Sequence, residues 1–252
     1  MISKPNEMGT RHASYNRARH ASPLQTKLLE ITQIGPTRAG MLDIPEKHWP
    51  EPGQYLPCQR LSDASEVLMT HPFRILEQEG ALTLEPIPQD WFPGDEIQYL
   101  PPEGRAFQLP TSVQRVGLLP FGVSPFRLLT LVKPALAQDA SIILFFNPAQ
   151  RNDYLSFVPS QVEVVPLTAL KDNLDWLDYL AADLKREDIE ELSYIFGPSP
   201  HSFTGQALIR TMMPCRGLAD CGVCAVKTTK GWRLACKDGP VFPLREVLHV
   251  AQ

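Results

Sequence analysis

Four of the five cysteines, Cys215, Cys221, Cys224 and Cys236, fall within 22 residues in the spacing C-x5-C-x2-C-x11-C. Thiols gathered this way ligate a soft, positively charged centre. Two chemistries use four thiolates, structural zinc and a [2Fe–2S] cluster, and a disulfide or bystander role is the remaining reading. Structural zinc sites pair one C-x2-C knuckle with another, whereas here the far side offers Cys236 alone. Three cysteines on one tight loop with a distant fourth follow the plant-type [2Fe–2S] layout, C-x4-C-x2-C…C, with one extra residue in the first gap. Gly217 and Gly222 let the backbone wrap closely and aim N–H groups at sulfur, which favours the cluster. Cys58, beside Pro57, reads as structural.

The elements that must position these thiols lie upstream. With 252 residues, 43% of them hydrophobic, the chain has length for one large or two ordinary domains. A formal charge of −4 gives no case for nucleic-acid binding. No run of eighteen apolar residues spans a membrane. Residues 1–25 carry Arg11, Arg17, Arg19, His12 and His20 without an apolar run, so they read as a disordered tail and not a secretory signal. Localisation then defaults to the cytoplasm, where thiols stay reduced.

Much of the abundant proline precedes residue 111, which favours short strands and turns there. Leu28–Ile34, Met41–Ile44, Ala81–Ile87 and Glu96–Leu100 read as strands, and two more flank His71-Pro72. Strands at this spacing predict a small antiparallel barrel. After Pro110 the pattern changes. Val113–Leu119, Ser141–Phe146 and Val162–Val165 read as strands, and Phe126–Val132 as a helix ending near Pro134. Leu174, Leu177, Leu180 and Leu184 sit at helical spacing, with the acids between Asp172 and Glu191 as a solvated face. Leu192–Gly197 reads as a strand and 201–213 as a helix, so the alternation predicts a parallel sheet. From Gly205 onward there are seven Lys/Arg against three acids, a basic surround suited to a dianionic cluster. No G-x-S-x-G elbow, Walker loop or HExxH occurs, and His12, His20 and His249 read as surface residues.

Barrel, parallel α/β domain and terminal four-cysteine lobe, in that order, resemble the ferredoxin-reductase-like electron-transfer subunit of the heterotetrameric dihydroorotate dehydrogenases. Cys236-Lys-Asp-Gly-Pro-Val-Phe242 is similar to that family's C-x-D-G-P-V-F ending, and Glu246-Val247-Leu248 continues the likeness. The resemblance implies an FAD-binding barrel. Its R-P-F/Y-S-I flavin motif is represented by His71-Pro72-Phe73-Arg74-Ile75, with His71 in place of arginine and Arg74 in place of serine. A second flavin element, G-P-x-G-x-x-F, is represented by Pro102–Phe107, keeping Gly104 and Phe107, and Pro52-Gly53-Gln54-Tyr55 matches the P-G-Q-Y/F turn. The resemblance also implies nicotinamide binding, but the residues depart from it. The glycine-rich turn appears as Leu119–Pro125 with only Gly122 and Pro125 matching, and C-G-P-x-P-M appears as Phe196–His201 without its cysteine. NAD(P) binding is not expected.

The expected fold is a multidomain α+β chain: tail 1–25, FAD-binding-like β-barrel 26–109, NAD-binding-like α/β domain 110–210 and [2Fe–2S] lobe 211–252. The resemblance implies an oxidoreductase component of a hetero-oligomer. Its cluster on Cys215, Cys221, Cys224 and Cys236 would pass single electrons between a flavin, FAD on His71, Pro72, Phe73, Arg74, Gly104 and Phe107, and a redox partner such as a flavin dehydrogenase subunit. Two rival readings remain: a non-redox interaction module with a zinc-clamped cysteine lobe, and a complete NAD(P)H-dependent reductase.

Overall fold

The computed structural model describes residues 22–62, 68–73, 82–146, 152–197, 202–215 and 217–248. Six short strands build the first half: β1 (Leu24–Ile34), β2 (Thr37–Leu42), β3 (Leu56–Arg60), β4 (Leu68–Phe73), β5 (Leu82–Glu85) and β6 (Glu96–Tyr99). They close into an antiparallel barrel in the order β1-β2-β5-β4-β3-β6. A register shift at Leu28/Glu30 lets β1 pair first with β6 and then with β2, so one long strand joins the barrel's two edges. Leu28, Leu42, Leu56, Leu84, Ile97 and Trp91 fill the interior. β3 was not read from the sequence. Of the two strands expected around His71-Pro72, the described part is one strand, β4, that runs through both residues, with Pro72 withholding one ladder donor without ending it; 74–76 of the second lie outside the described residues.

The second half is a six-stranded sheet in the order β14-β11-β10-β7-β8-β9. Its members are β7 (Arg115–Phe121), β8 (Ser141–Phe146), β9 (Val162–Pro166), β10 (Tyr179–Lys185), β11 (Thr204–Arg210) and β14 (Val241–Pro243). All neighbours are parallel except β14, which runs antiparallel to β11. Alternate residues face two separate cores. Val116 and Leu118 of β7 join Ile142 and Leu144 on one face, while Leu119 and Phe121 join Ile143, Leu180 and Leu184 on the other.

Between residues 170 and 213 the expected element types are overturned. Leu170–Asn173 is a single helical turn, and Leu180 and Leu184 belong to strand β10. A spacing of four is even, so it marks one face of a strand as well as one face of a helix; burial on both sides of a central strand decided the outcome. The expected strand around Leu192 is the helix Ile189–Phe196, which buries Ile189, Leu192 and Phe196. The expected helix over 201–213 contains β11. Asp183 is not on a solvated face but fully buried. The expected helix over Phe126–Val132 splits into Phe126–Leu129 and Val132–Leu136, with Pro134 inside the first turn of the second, where its missing N–H costs nothing.

The terminal segment is sewn to the sheet. A hairpin of β12 (Ala225–Thr228) and β13 (Gly231–Leu234) leads to the turn Ala235–Asp238, then to β14 and the helix Leu244–Leu248. Ile209 N–H donates to Pro240 O at 2.9 Å, and Thr229 N–H to Glu246 O at 2.8 Å.

Candidate cluster site and the adjoining crevice

The four lobe cysteines are free thiols and come together in two pairs. Cys224 Sγ lies 3.4 Å from Cys236 Sγ, both buried. Cys215 hydrogen-bonds Cys221 on the neighbouring loop. The loop achieves this with left-handed residues: Gly217 (φ 78°), Ala219 (φ 61°) and Gly222 (φ 70°). Space around a Cβ at Gly222 is open, so its backbone angle alone calls for glycine. These turns aim backbone N–H groups at sulfur. Against the upward push of burial, the N–H groups of Asp220, Cys221 and Ala219 bring the Cys215 thiol pKa down. The Ala219 N–H also reaches Cys236. Cys224 is drawn down, first by the hydrogen bond it shares with Cys236 and then, against burial, by neighbouring N–H groups. Cys236 is held up by that same hydrogen bond and by burial. Among the described residues no three His, Cys, Asp or Glu side chains converge as they would around a single metal ion.

The barrel reaches this site through Tyr55, which is fully buried in the same apolar cluster as Cys224 and Cys236. Its hydroxyl lies 3.4 Å from both Cys236 O and Glu103 Oε2. Backbone bonds run both ways between Tyr55 and Glu103, and Arg105 N–H donates to Gly239 O at 2.7 Å, stapling segment 103–105 to barrel and lobe together. The Glu103 carboxyl is pushed up to about 7 by burial, with the Tyr55 hydrogen bond acting in the opposite direction. A Cβ at Gly217 would stand 2.8 Å from Glu103 Oε2, so the carboxyl end would have to shift.

Between the barrel rim and the carboxyl ends of the parallel strands lies a crevice of about 400 Å³, lined by Arg38, Glu85, Gly122, Ser124, Arg127 and Arg210 among others. The chain runs outward from β7 through β8 to β9 and then returns to the other side of β7 with β10. The crevice therefore sits at the switch point of the sheet. A buried charge network crosses it. Arg127 Nη2 meets Glu85 Oε1 at 3.2 Å, Arg127 Nη1 meets Asp183 Oδ2 at 3.2 Å, and Arg210 Nε lies 3.0 Å from Asp183 Oδ1. The last contact lacks hydrogen-bond geometry. Arg210 Nε and Nη2, Arg127 Nε and Arg38 Nε thus stay buried without a hydrogen-bond partner among the described residues. Burial raises the Glu85 pKa against the pull of Arg127, and it lowers that of Arg210.

Sequence reasoning had passed over this network. Arg127 within the apolar run Phe126–Leu129, and Asp183 within Tyr179–Leu184, are the signals that could have found it: charges inside stretches that are otherwise core.

The residues of the flavin motifs are spread differently. His71 is buried, its Nδ1 is 3.2 Å from Gln54 O, and its ring stands edge-on to Tyr55 with centroids 5.9 Å apart. Burial first, then Arg127 and Arg210, hold its pKa well below 6.5, so it supplies no positive charge at neutral pH. Pro72 and Phe73 continue β4 opposite Leu84 and Thr83, and Arg74 lies outside the described residues. Gly104 (φ 83°) packs against Pro240 and Tyr55, and Phe107 is buried against Gly53. None of His71, Gly104 or Phe107 lines the crevice. Of the nicotinamide elements, Gly122 does line it. Phe196 and Gly197 end the helix that leads back from β10 to the start of β11, so they stand toward the amino ends of the strands, away from the crevice.

Comparison with known proteins agrees with this arrangement. Residues 211–248 match the iron–sulfur cluster binding domain of dihydroorotate dehydrogenase B. The electron transfer subunit of dihydroorotate dehydrogenase B (NAD(+)) from Desulforamulus reducens is 23% identical, covering 88% of this chain and 97% of that protein. The corresponding subunit from Clostridium perfringens is 25% identical over 61% of this chain and 67% of its own length. Among solved structures, the NADH-dependent reduced ferredoxin-NADP oxidoreductase superposes with a TM-score of 0.69 at 18% identity, covering 88% of this chain and 89% of that one. The ferredoxin reductase of carbazole 1,9a-dioxygenase gives 0.54 at 12% identity, covering 69% and 64%. The fold is thus of the ferredoxin-reductase kind, residues 211–248 match an iron–sulfur cluster binding domain, and the chain is similar over most of its length to the electron transfer subunit of dihydroorotate dehydrogenase B.

Proposed function

We propose that this chain is the electron-transfer component of a hetero-oligomeric oxidoreductase. A [2Fe–2S] cluster on Cys215, Cys221, Cys224 and Cys236 passes single electrons between a flavin and a partner subunit. The observation that carries the reading is the thiol loop, whose sulfurs are paired two and two and ringed by backbone N–H groups. Amide donors stabilise sulfur that stays anionic, as in a cluster whose net charge is negative. Two pairs of thiols suit two irons, Cys215 with Cys221 and Cys224 with Cys236, better than one tetrahedral zinc.

For the flavin, the fit is carried by charge. Arg38 Nε and Arg210 Nη2 remain buried and unpaired among the described residues, as cationic edges for a dinucleotide's diphosphate. Arg38 and Arg210 would hold FAD in the crevice, in place of the arginine that His71 replaces. FAD supplies the exchange between two-electron and one-electron chemistry, and the protein's part is to hold and orient it. In this reading the flavin barrel begins at Leu24, where β1 starts, and not at 26, and runs to 109; the α/β domain is 110–210 and the cluster lobe 211–252, which lends β14 to the α/β sheet, with the protein in the reducing cytoplasm.

One anaerobic sample tests this. Iron, sulfide, zinc and flavin are measured per chain, and the visible spectrum is followed as dithionite is added. Two irons and two sulfides per chain with a bleachable brown colour are expected. A colourless protein with one zinc per chain overturns the reading.

A further inference from the structure

On an open parallel sheet, a bound dinucleotide rests beyond the carboxyl ends of the strands at the switch point, with its phosphates on the turn after the first strand. In this chain that turn is 122–125, between β7 and the helix Phe126–Leu129, and the side-chain donors there are Ser124 on the turn and Arg127 in the first turn of the helix. The place already holds an anion. Glu85, carried in by β5 from the barrel, sets Oε1 3.2 Å from Ser124 Oγ and 3.2 Å from Arg127 Nη2. Its second oxygen is 3.5 Å from Ser124 Oγ. The far edge of Arg127 is taken by Asp183 at 3.2 Å. Glu85, Ser124 and Arg127 are all buried, so this is a built seat and not a passing surface contact.

Pro125 has no N–H to give a phosphate. A phosphate arriving here would face two carboxylates and find both forks of Arg127 engaged.

The geometry points to Glu85 as a built-in substitute for a nucleotide phosphate, filling the Ser124–Arg127 seat and excluding a nicotinamide dinucleotide from the switch point. Electrons then enter and leave this chain through bound cofactors and protein contacts, and not by hydride exchange with free NAD(P)H. Arg38 and Arg210 flank the seat with unpaired nitrogens, so an anionic group on the barrel side of the crevice is still accommodated. The inference goes beyond the electron-transfer reading and does not rest on the presence of iron.

Calorimetric titration of the full-length purified chain with NADH, NADPH and ADP-ribose tests it. The wild-type chain is expected to show no saturable heat into the millimolar range. Glu85→Gln keeps the shape and hydrogen bonds but removes the charge, and Glu85→Ala empties the seat. Either is expected to bind ADP-ribose at least about tenfold more tightly than wild type. Circular dichroism melts confirm that the variants are folded, and Glu85→Gln serves if Glu85→Ala is not. Sub-millimolar NADH binding by the wild-type chain overturns the inference whatever the variants do, and folded variants that bind no better than wild type overturn it as well. Iron and flavin content of the same samples reports separately on the electron-transfer reading.

Discussion

Replacing Glu103 by glutamine isolates the seam between barrel and cluster lobe. The carboxyl is largely buried, takes a hydrogen bond from Tyr55 at 3.4 Å and packs on Gly217 of the thiol loop. Its pKa rises from 4.5 to about 7, chiefly through burial. Folding therefore favours the protonated form. The stability that protonation contributes is complete below about pH 4.5 and is lost as the pH rises through about 7. At about 1.4 kcal/mol per pH unit, the gap corresponds to about 3 kcal/mol. Glutamine is always neutral and its Oε1 can still accept from Tyr55. The variant should match wild type near pH 5 and exceed it by up to about 3 kcal/mol near pH 8. Denaturant unfolding followed by tryptophan fluorescence across this range reads the difference directly. A gap that stays flat with pH, or a variant that is weaker at the alkaline end, refutes the reasoning.

Other substitutions test the remaining contacts. Gly104→Ala adds a Cβ 2.5 Å from Pro240 Cδ at a φ of 83°, and should cost about 2–4 kcal/mol in chemical denaturation. Gly94→Ala, at φ 97° but with nothing within 4 Å, should cost about 1–2 kcal/mol. Arg127→Met strands two buried carboxylates and should lower stability by about 3–5 kcal/mol by the same measurement, whereas an exposed pair such as Lys230–Glu246 should matter little. Cys236→Ala should abolish bound iron, and Cys58→Ala, in the barrel core, should leave the iron content unchanged; iron analysis of the purified variants checks both.

Part of this architecture is legible locally. The prolines and period-two runs before residue 111 correspond to a barrel of short strands, because strand faces and turn residues are set by near neighbours in the chain. β3 was missed since Leu56-Pro-Cys-Gln-Arg60 has a proline inside it and no alternation, and only pairing with β4 and β6 makes it a strand. In the α/β half the alternation of elements was visible but its phase was not. Leu180 and Leu184 fit either period, and the neighbours β7 and β11 settle the matter by burying both faces of β10.

The spacing of Cys215, Cys221, Cys224 and Cys236, with Gly217 and Gly222 between and beside them, was determined by the sequence alone, because a tight loop brings close what is already close in the chain. The charge network was not. Glu85, Arg127, Asp183 and Arg210 are each at least 27 residues apart from the next, and lie on four different elements. Only the closing of barrel onto sheet makes them neighbours and removes the water that would otherwise separate them. The same closure brings Tyr55 against Cys236, 181 residues away. Local spacing thus determined where thiols gather, and long-range packing decided what surrounds them and what already fills the crevice beside them.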